Sequence, residues 1–293
     1  MILGEIEAFI NIAEKLKKYI PFLKPATKQE SVAARFIRLF ETHGVHRNQI
    51  PRFFGHGLTL NDLKSEDSLF PNLNEKMLDD ACQLFAVRRE WLDGADEIAH
   101  TNHDFYKHPE EFQTFITELK MANPEGHLQG ELFSPEKPDV KSQAIIVLNE
   151  IVGWIGNEPI YRYHLCNNWS YSYWKARAYL TACIAIALKH DVHIMGTSGA
   201  KKKIDLLAQG DILLASEEKG IPSIYGPKWY PEDMALVPEV YLKGIDPEIE
   251  NFGVRAGLSL WLELEEQGLM KTGLGKEART LFEQEQRIWL SVQ

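Results

Sequence analysis

The spacing of apolar residues changes character partway along the chain. Ile6, Phe9, Ile10, Ala13, Leu16 and Ile20 recur near helical intervals with Glu and Lys between them, which predicts an amphipathic helix over 2–20, ended by Pro21 and Pro25. Thr27-Lys28-Gln29-Glu30 has the form of a capping box, so a helix is expected to start there, with Val32, Phe36, Leu39 and Phe40 on its buried face and His43-Gly44 as its stop. A second short helix is expected from Arg47 to Phe54, closed by Gly55, with Pro51 either kinking it or confining its regular part to one turn. A third is expected from Thr59 to Lys64, capped by Thr59 or Asn61. Asn72-Leu73-Asn74-Glu75 leads into a strong amphipathic helix carrying Met77, Leu78, Ala81, Leu84 and Phe85, and Val87 to Gly94 closes with a short one. These spacings predict one buried core made of Phe36, Phe40, Leu78, Leu84, Phe85 and Trp91.

Farther on, residues 101–135 read as a helical linker, with a helix from His108 to Leu119 and a stop at Asn123-Pro124-Glu125-Gly126. Ser134-Pro135-Glu136-Lys137-Pro138 has the composition of a domain boundary. The run from Ala144 to Ile155 is rich in β-branched residues and is followed by the alternating Ile160 to Leu165, which fits a hairpin or a helix followed by a strand. A long helix is expected from Ser172 to His190, a strand over Val192 to Gly196, a helix over Lys201 to Gln209 and a further strand over Asp211 to Ala215. Pro247 to Gly268 and Glu277 to Val292 return to helix.

The stretch from Asn72 to Gly94 resembles the last two helices of the lambda-repressor-like (Xre/Cro) helix-turn-helix family. A leucine-bearing helix is followed by an aliphatic residue, a short polar turn and the aromatic-leucine pair Trp91-Leu92 before Gly94. With the helices before it, the resemblance runs from Thr27 to Gly94, about a quarter of the chain. It implies DNA contacts at Arg47, Asn48, Gln49 and Arg52 on the second helix and at Thr59, Asn61 and Lys64 on the third, made by a dimer reading half-sites one helical turn apart. Two features depart from the family: Gly55 and Gly57 both stand in the turn, and Ser65-Glu66-Asp67 follows the third helix directly, where acids repel phosphate.

The whole is expected to be an α+β fold with an N-terminal all-helical helix-turn-helix-like module, a middle α/β domain and a helical C-terminus. The divisions are a leading helix over 1–26, the module over 27–100, a linker over 101–135, a sensing or dimerisation domain over 136–220 and a helical region over 221–293.

Charge qualifies this reading. The 293 residues carry a net charge of −10, which argues against a protein that coats nucleic acid. From Lys24 to Lys64, seven Lys or Arg face three acids, whereas from Ser65 to His100 nine acids face Lys76, Arg88 and Arg89. A DNA-facing surface must therefore come from the earlier stretch. Hydrophobic content of 44% and charged content of 25% are those of an ordinary globular chain. The acids at Glu5 and Glu7 do not suit a secretory signal, and no apolar run is long enough to span a bilayer. Cys82, Cys166 and Cys183 are too scattered for a disulfide framework, so a soluble protein of the reducing cytoplasm is expected.

Two segments carry candidate binding chemistry. Tyr161, Tyr163, Trp169, Tyr171, Tyr173, Trp174 and Tyr179 crowd seven large aromatics into nineteen residues, with Arg162, Lys175 and Arg177 among them. Gly196-Thr197-Ser198-Gly199-Ala200-Lys201-Lys202-Lys203 joins a strand to a helix without the spacing of a known phosphate loop. Tyr161, Arg162, Tyr163, Trp169, Tyr173, Trp174, Arg177, Ser198, Gly199 and Lys201 are thus the ligand-site candidates, suited to a small anionic or aromatic ligand. No catalytic set, metal site or cofactor is assigned: His164 and Cys166, and His190 and His193, lack a zinc spacing. The expected function is that of a transcriptional regulator in which a DNA-binding-type module is joined to a ligand-sensing or dimerising domain, acting as a homodimer. The alternatives are a protein-interaction scaffold that does not bind DNA and a small-molecule enzyme using the Gly196–Lys203 loop.

Overall fold

A computed structural model describes residues 30–139, 141–210, 212–214, 224, 226–245, 253–275 and 278–291. The expected 2–20 helix and the cap at Thr27 lie outside the described residues. The first described helix, α1 (Val32–Thr42), is capped by Ser31, whose hydroxyl accepts from the Ala34 amide at 3.1 Å. Ser31 is as good a cap as Thr27 and stands directly before the apolar periodicity, so the start moves there.

The chain then makes a 3₁₀ turn at Arg47–Gln49, closed by a capping box between His46 and Gln49, and the single turn of α2 (Ile50–Phe53). Pro51 sits in the first turn of α2, where a missing amide costs nothing. The helix expected from Thr59 to Lys64 does not form, and only a 3₁₀ turn at Asp62–Lys64 remains. Its would-be cap works locally instead: the Asp62 carboxylate accepts from the Thr59 amide at 2.8 Å and from its hydroxyl at 2.7 Å. Ser65 then caps a new turn, α3 (Glu66–Leu69), by accepting from the Ser68 amide. Asn74 caps α4 (Glu75–Phe85), and α5 (Arg89–Leu92) follows.

Phe36, Phe40, Leu78, Phe85 and Trp91 are buried in one cluster, as their spacing predicts. Leu84 is only half-buried and packs at its margin. Leu84→Ala is accordingly expected to cost less than about 2 kcal/mol, against the ~2–5 kcal/mol of a fully buried leucine. Urea unfolding of L84A beside Leu39→Ala checks this, and equal losses would contradict it.

Beyond the module, β1 (Asn102–Asp104), α6 (Pro109–Ala122), β2 (Gln129–Pro135), β3 (Gln143–Ile155), β4 (Glu158–Ser170), α7 (Trp174–Lys189), β5 (Ile194–Gly199), α8 (Lys201–Ala208) and β6 (Lys228–Trp229) build one six-stranded sheet with its helices. The strand order is β1-β4-β3-β2-β5-β6. Residues 101–135, expected as a helical linker, thus supply two strands, and β2 pairs with both β3 and β5. Gln129 to Pro135 is short and holds three turn-favouring residues, Gly130, Ser134 and Pro135, which hid it as a strand. Of the two readings of Ala144 to Ile155, the hairpin is the one present, with β3 and β4 antiparallel from Gln143↔Ser170 to Ile155↔Glu158. Residues 212–214 are not strand.

β3 reads as a continuous apolar run because both faces are covered. Ile146 and Leu148 join the core under α6 and α7, while Ile145 and Val147 pack with Ile204 and Leu207 of α8. α7 is buried almost all round, hence its lack of a polar face. A 3₁₀ turn at Pro231–Ala235, α9 (Pro238–Leu242), α10 (Gly253–Glu266) and α11 (Arg279–Ser291) complete an α+β fold. The module is not tethered loosely to the sheet. Ile160 of β4 is buried in the module core with Val152 and Ile155 packed beside it, and Ala99 and His100 both donate their amides to the Gly210 carbonyl. Among the described residues no helix is long and apolar enough to cross a membrane.

Candidate functional site

The residues implicated in DNA contact do not share one free surface. Arg47 lies 3.5 Å from the Glu41 carboxylate, and the Gln49 side chain is spent accepting from the His46 amide. Asn48, Thr59, Asn61 and Lys64 are exposed, but Thr59 and Asn61 lie in the turn before the Asp62–Lys64 3₁₀ turn that carries Lys64, which presents no helix to a groove. Arg52 and Gln49 face a cleft closed on its other side by the tip of the β3–β4 hairpin. Over residues 30–100, eight Lys or Arg stand against twelve Asp or Glu. The arginines are mostly committed: Arg35 and Arg38 to Glu30, Arg88 to Asp96, and Arg89 to Glu75, Asp79 and Asp93.

The aromatic segment is dispersed rather than gathered. Tyr161 and Tyr163 pack on the α8 face of the sheet, whereas Trp169 is fully buried in the core on the opposite face, because a bulge between Cys166 and Trp169, where the register against β3 shifts, reverses the alternation of β4. Tyr173 is exposed and Trp174 half-buried at the start of α7. Arg162 is held by Glu150, a buried carboxylate that sequence reading passed over. Glu150 Oε1 accepts from Arg162 Nη2 at 2.7 Å and His164 Nε2 at 2.9 Å, and its Oε2 accepts from Asn123 Nδ2 at 2.8 Å. Burial alone would raise this carboxyl; the bonds from His164, Arg162 and Asn123 outweigh it and hold the group below the usual range.

The two candidate segments do meet at one place. Of the ligand-site candidates only Ser198, near the end of β5, takes part; with Tyr171, a member of the aromatic segment that is not among those candidates, and with Pro135, Trp229, Tyr230, Asp233 and Lys243 it lines a cavity of about 350 Å³. It opens at the carboxyl ends of the parallel strands β2 and β5, the usual place for a ligand in such a sheet. Two close approaches shape its walls. A Cβ on Gly196 would come within 2.6 Å of the Trp229 indole, so glycine lets that ring lie against β5, and a Cβ on Gly244 would meet Pro138 at 2.7 Å.

No family model, curated protein or solved structure matches the chain.

Arg177 does not reach into this cavity but fixes its wall. It is fully buried, and its guanidinium donates to the carbonyls of Tyr171 (2.7 Å), Tyr241 (2.9 Å) and Lys243 (3.0 Å) while stacking 3.8 Å from the Tyr171 ring centroid. Tyr241 and Lys243 end α9, so Arg177 satisfies carbonyls at that helix terminus and ties them to the start of α7. Burial lowers the pKa of its guanidinium from the ordinary arginine value. Gly199 is covered by Ile224, whose methyl would lie 2.3 Å from an added Cβ, and Lys201 lies 3.4 Å from Asp139. The loop therefore turns its lysine to an acid rather than toward an open cradle. Beside it, Lys228 contacts both Glu131 and the buried Thr197, a trio joined across β2, β5 and β6. Among the described residues no cluster of His, Cys, Asp and Glu could hold a metal ion.

Proposed function

We propose that the protein is a ligand-responsive regulatory protein. Its sheet domain takes a flat small molecule with hydrogen-bonding groups in the cavity between Tyr171, Ser198 and Tyr230, and its helical module serves as an interaction module. The observation that carries this reading is the cavity itself, which unites an aromatic wall with a hydroxyl at the carboxyl ends of two parallel strands and is braced from behind by Arg177. Its ligand is read as aromatic because Tyr171, Trp229 and Tyr230 line the cavity, and as polar because Ser198, Asp233 and Lys243 line it too.

The module is read as an interaction scaffold more readily than as a duplex reader. Support comes from its excess of acids, its paired arginines and the shortened third helix. Calorimetric titration with adenine, indole and nicotinamide tests the cavity. At least one is expected to bind saturably, one per chain, with Ser198→Val or Tyr230→Ala weakening it about tenfold, the order of one lost hydrogen bond or ring contact. Failure of all three would remove the sensing reading. Duplex titration at about 50 mM salt, where phosphate contacts are strong, is expected to show no binding; binding abolished by the Arg47→Ala and Arg52→Ala pair would restore the transcriptional reader.

A further inference from the structure

The cleft between the module and the hairpin tip is a second cavity, of about 510 Å³, distinct from the one at the carboxyl ends of the strands. Phe53 and Arg52 of α2 form one wall with Leu84 of α4, and the turn from Val152 to Gly156 forms the other. The two walls are set against each other with no slack, because a Cβ on Gly153 would come within 2.6 Å of the Phe53 ring. Gly156 makes the turn itself, at a φ of +63°. The cleft is therefore preformed rather than a gap between loosely joined parts.

Its charge is unusual for this module. Of the six arginines over residues 30–100, the other five make ion pairs among the described residues, and Arg52 makes none. The acid nearest it in the lining, Asp80, is already engaged by Lys76 at 2.7 Å and lies 3.2 Å from His56, whose ring stacks on Phe54. Across the cleft Trp154 is 56% exposed, a large indole at a rim where hydrophobic surface is otherwise costly. An uncommitted guanidinium and an exposed indole lining one cleft with Phe53, Phe54 and Leu84 can recognise a flat body carrying an anionic group, through a charge-assisted fork and ring stacking.

We infer that this cleft is a binding site for a small aromatic anion, an arylcarboxylate or aryl sulfonate, held between Arg52 and Trp154. Because the site has one wall in each part of the molecule, occupancy ties the module to the hairpin, independently of whether the other cavity binds its own ligand. The test uses 8-anilinonaphthalene-1-sulfonate followed by its emission, with benzoate and its neutral counterpart benzyl alcohol as competitors, on the full chain. Saturable binding at one site is expected, displaced by benzoate and not by benzyl alcohol. Arg52→Gln should weaken it about tenfold or more, the order of one lost charge-assisted bond, and Trp154→Ala should weaken it as well. Arg47→Gln should leave it unchanged, and all three variants should melt where the parent does. Absence of saturable binding, equal affinity in Arg52→Gln, or loss on Tyr230→Ala alone, which would place the probe in the other cavity, each overturns the inference.

Discussion

Arg177→Met is expected to lose about 4 kcal/mol of stability, although it removes a charge from a site that solvates none. The carbonyls of Tyr171, Tyr241 and Lys243 all depend on one guanidinium, and among the described residues Arg177 makes no ion pair. Methionine matches the length and apolar stem but leaves these acceptors buried and unmet, at roughly 1–3 kcal/mol each, less the desolvation cost that the charge no longer bears. Arg177→Lys keeps the charge but not the planar fork, and so should recover little. Urea unfolding gives the number, and a midpoint within about 0.5 kcal/mol of the parent, the scatter of a surface change, would refute the clamp. The same variants should lose ligand binding at the carboxyl-edge cavity, since Tyr171 and the Lys243–Gly244 wall are what the clamp joins.

The chain advertised its helices better than its site. Periodicity located α1, α4 and the module core because each buries a stripe with helical spacing, whereas α7, buried almost all round, stood out as a long apolar run. It failed at Thr59–Lys64, where a local Thr–Asp hydrogen bond and Ser65 outbid the helix, and at β2, whose central place depends on β3 and β5 rather than on its own pattern. The aromatic cluster misled for a simpler reason. Tyr161 and Tyr163, two apart on β4, share a face, but the bulge before Trp169 sends that ring to the other side, so Tyr163 and Trp169 went to separate cores while Tyr171, beyond the strand, lines the cavity. Arg177, a candidate for holding an anionic ligand, is instead spent on backbone carbonyls, and a sequence cannot say that two of them would come from the end of α9, some sixty residues on. Trp229 and Tyr230, which complete the cavity, carried no sequence signal beyond being aromatic.

The joint between module and sheet should give way to mild acid, and with the larger effect of the two. His43 and His100 are each 1% exposed and lie where the module meets the sheet. His43 Nδ1 bonds the Leu39 carbonyl, and its ring sits 4.1 Å from Phe85 and 6.1 Å from Tyr163. His100 Nε2 accepts from the Leu214 amide at 3.1 Å, so that nitrogen carries no proton. Burial lowers the pKa of His43 from 6.5 to about 4. Burial, and after it the neighbouring His43, lowers that of His100 from 6.5 to about 3. The unfolded chain therefore binds protons below pH 6.5 that the folded chain refuses, and stability present above that pH falls as the pH drops. Near pH 5 the loss is roughly 2 kcal/mol from each ring, and it approaches roughly 3 and 5 kcal/mol once the pH is below the folded values. His103, whose pKa burial also lowers, pushes the same way, whereas Glu150 adds its own loss only at lower pH, as its carboxylate protonates. Urea midpoints measured from pH 7.5 to 5 should trace this decline, which begins before carboxylates titrate. Replacing His43 or His100 by glutamine, which cannot take up a proton, should lower stability at neutral pH yet make the acid limb shallower. Stability that stays level down to pH 5, or an acid limb equally steep in both variants, would show that these rings do not set the acid sensitivity of the joint.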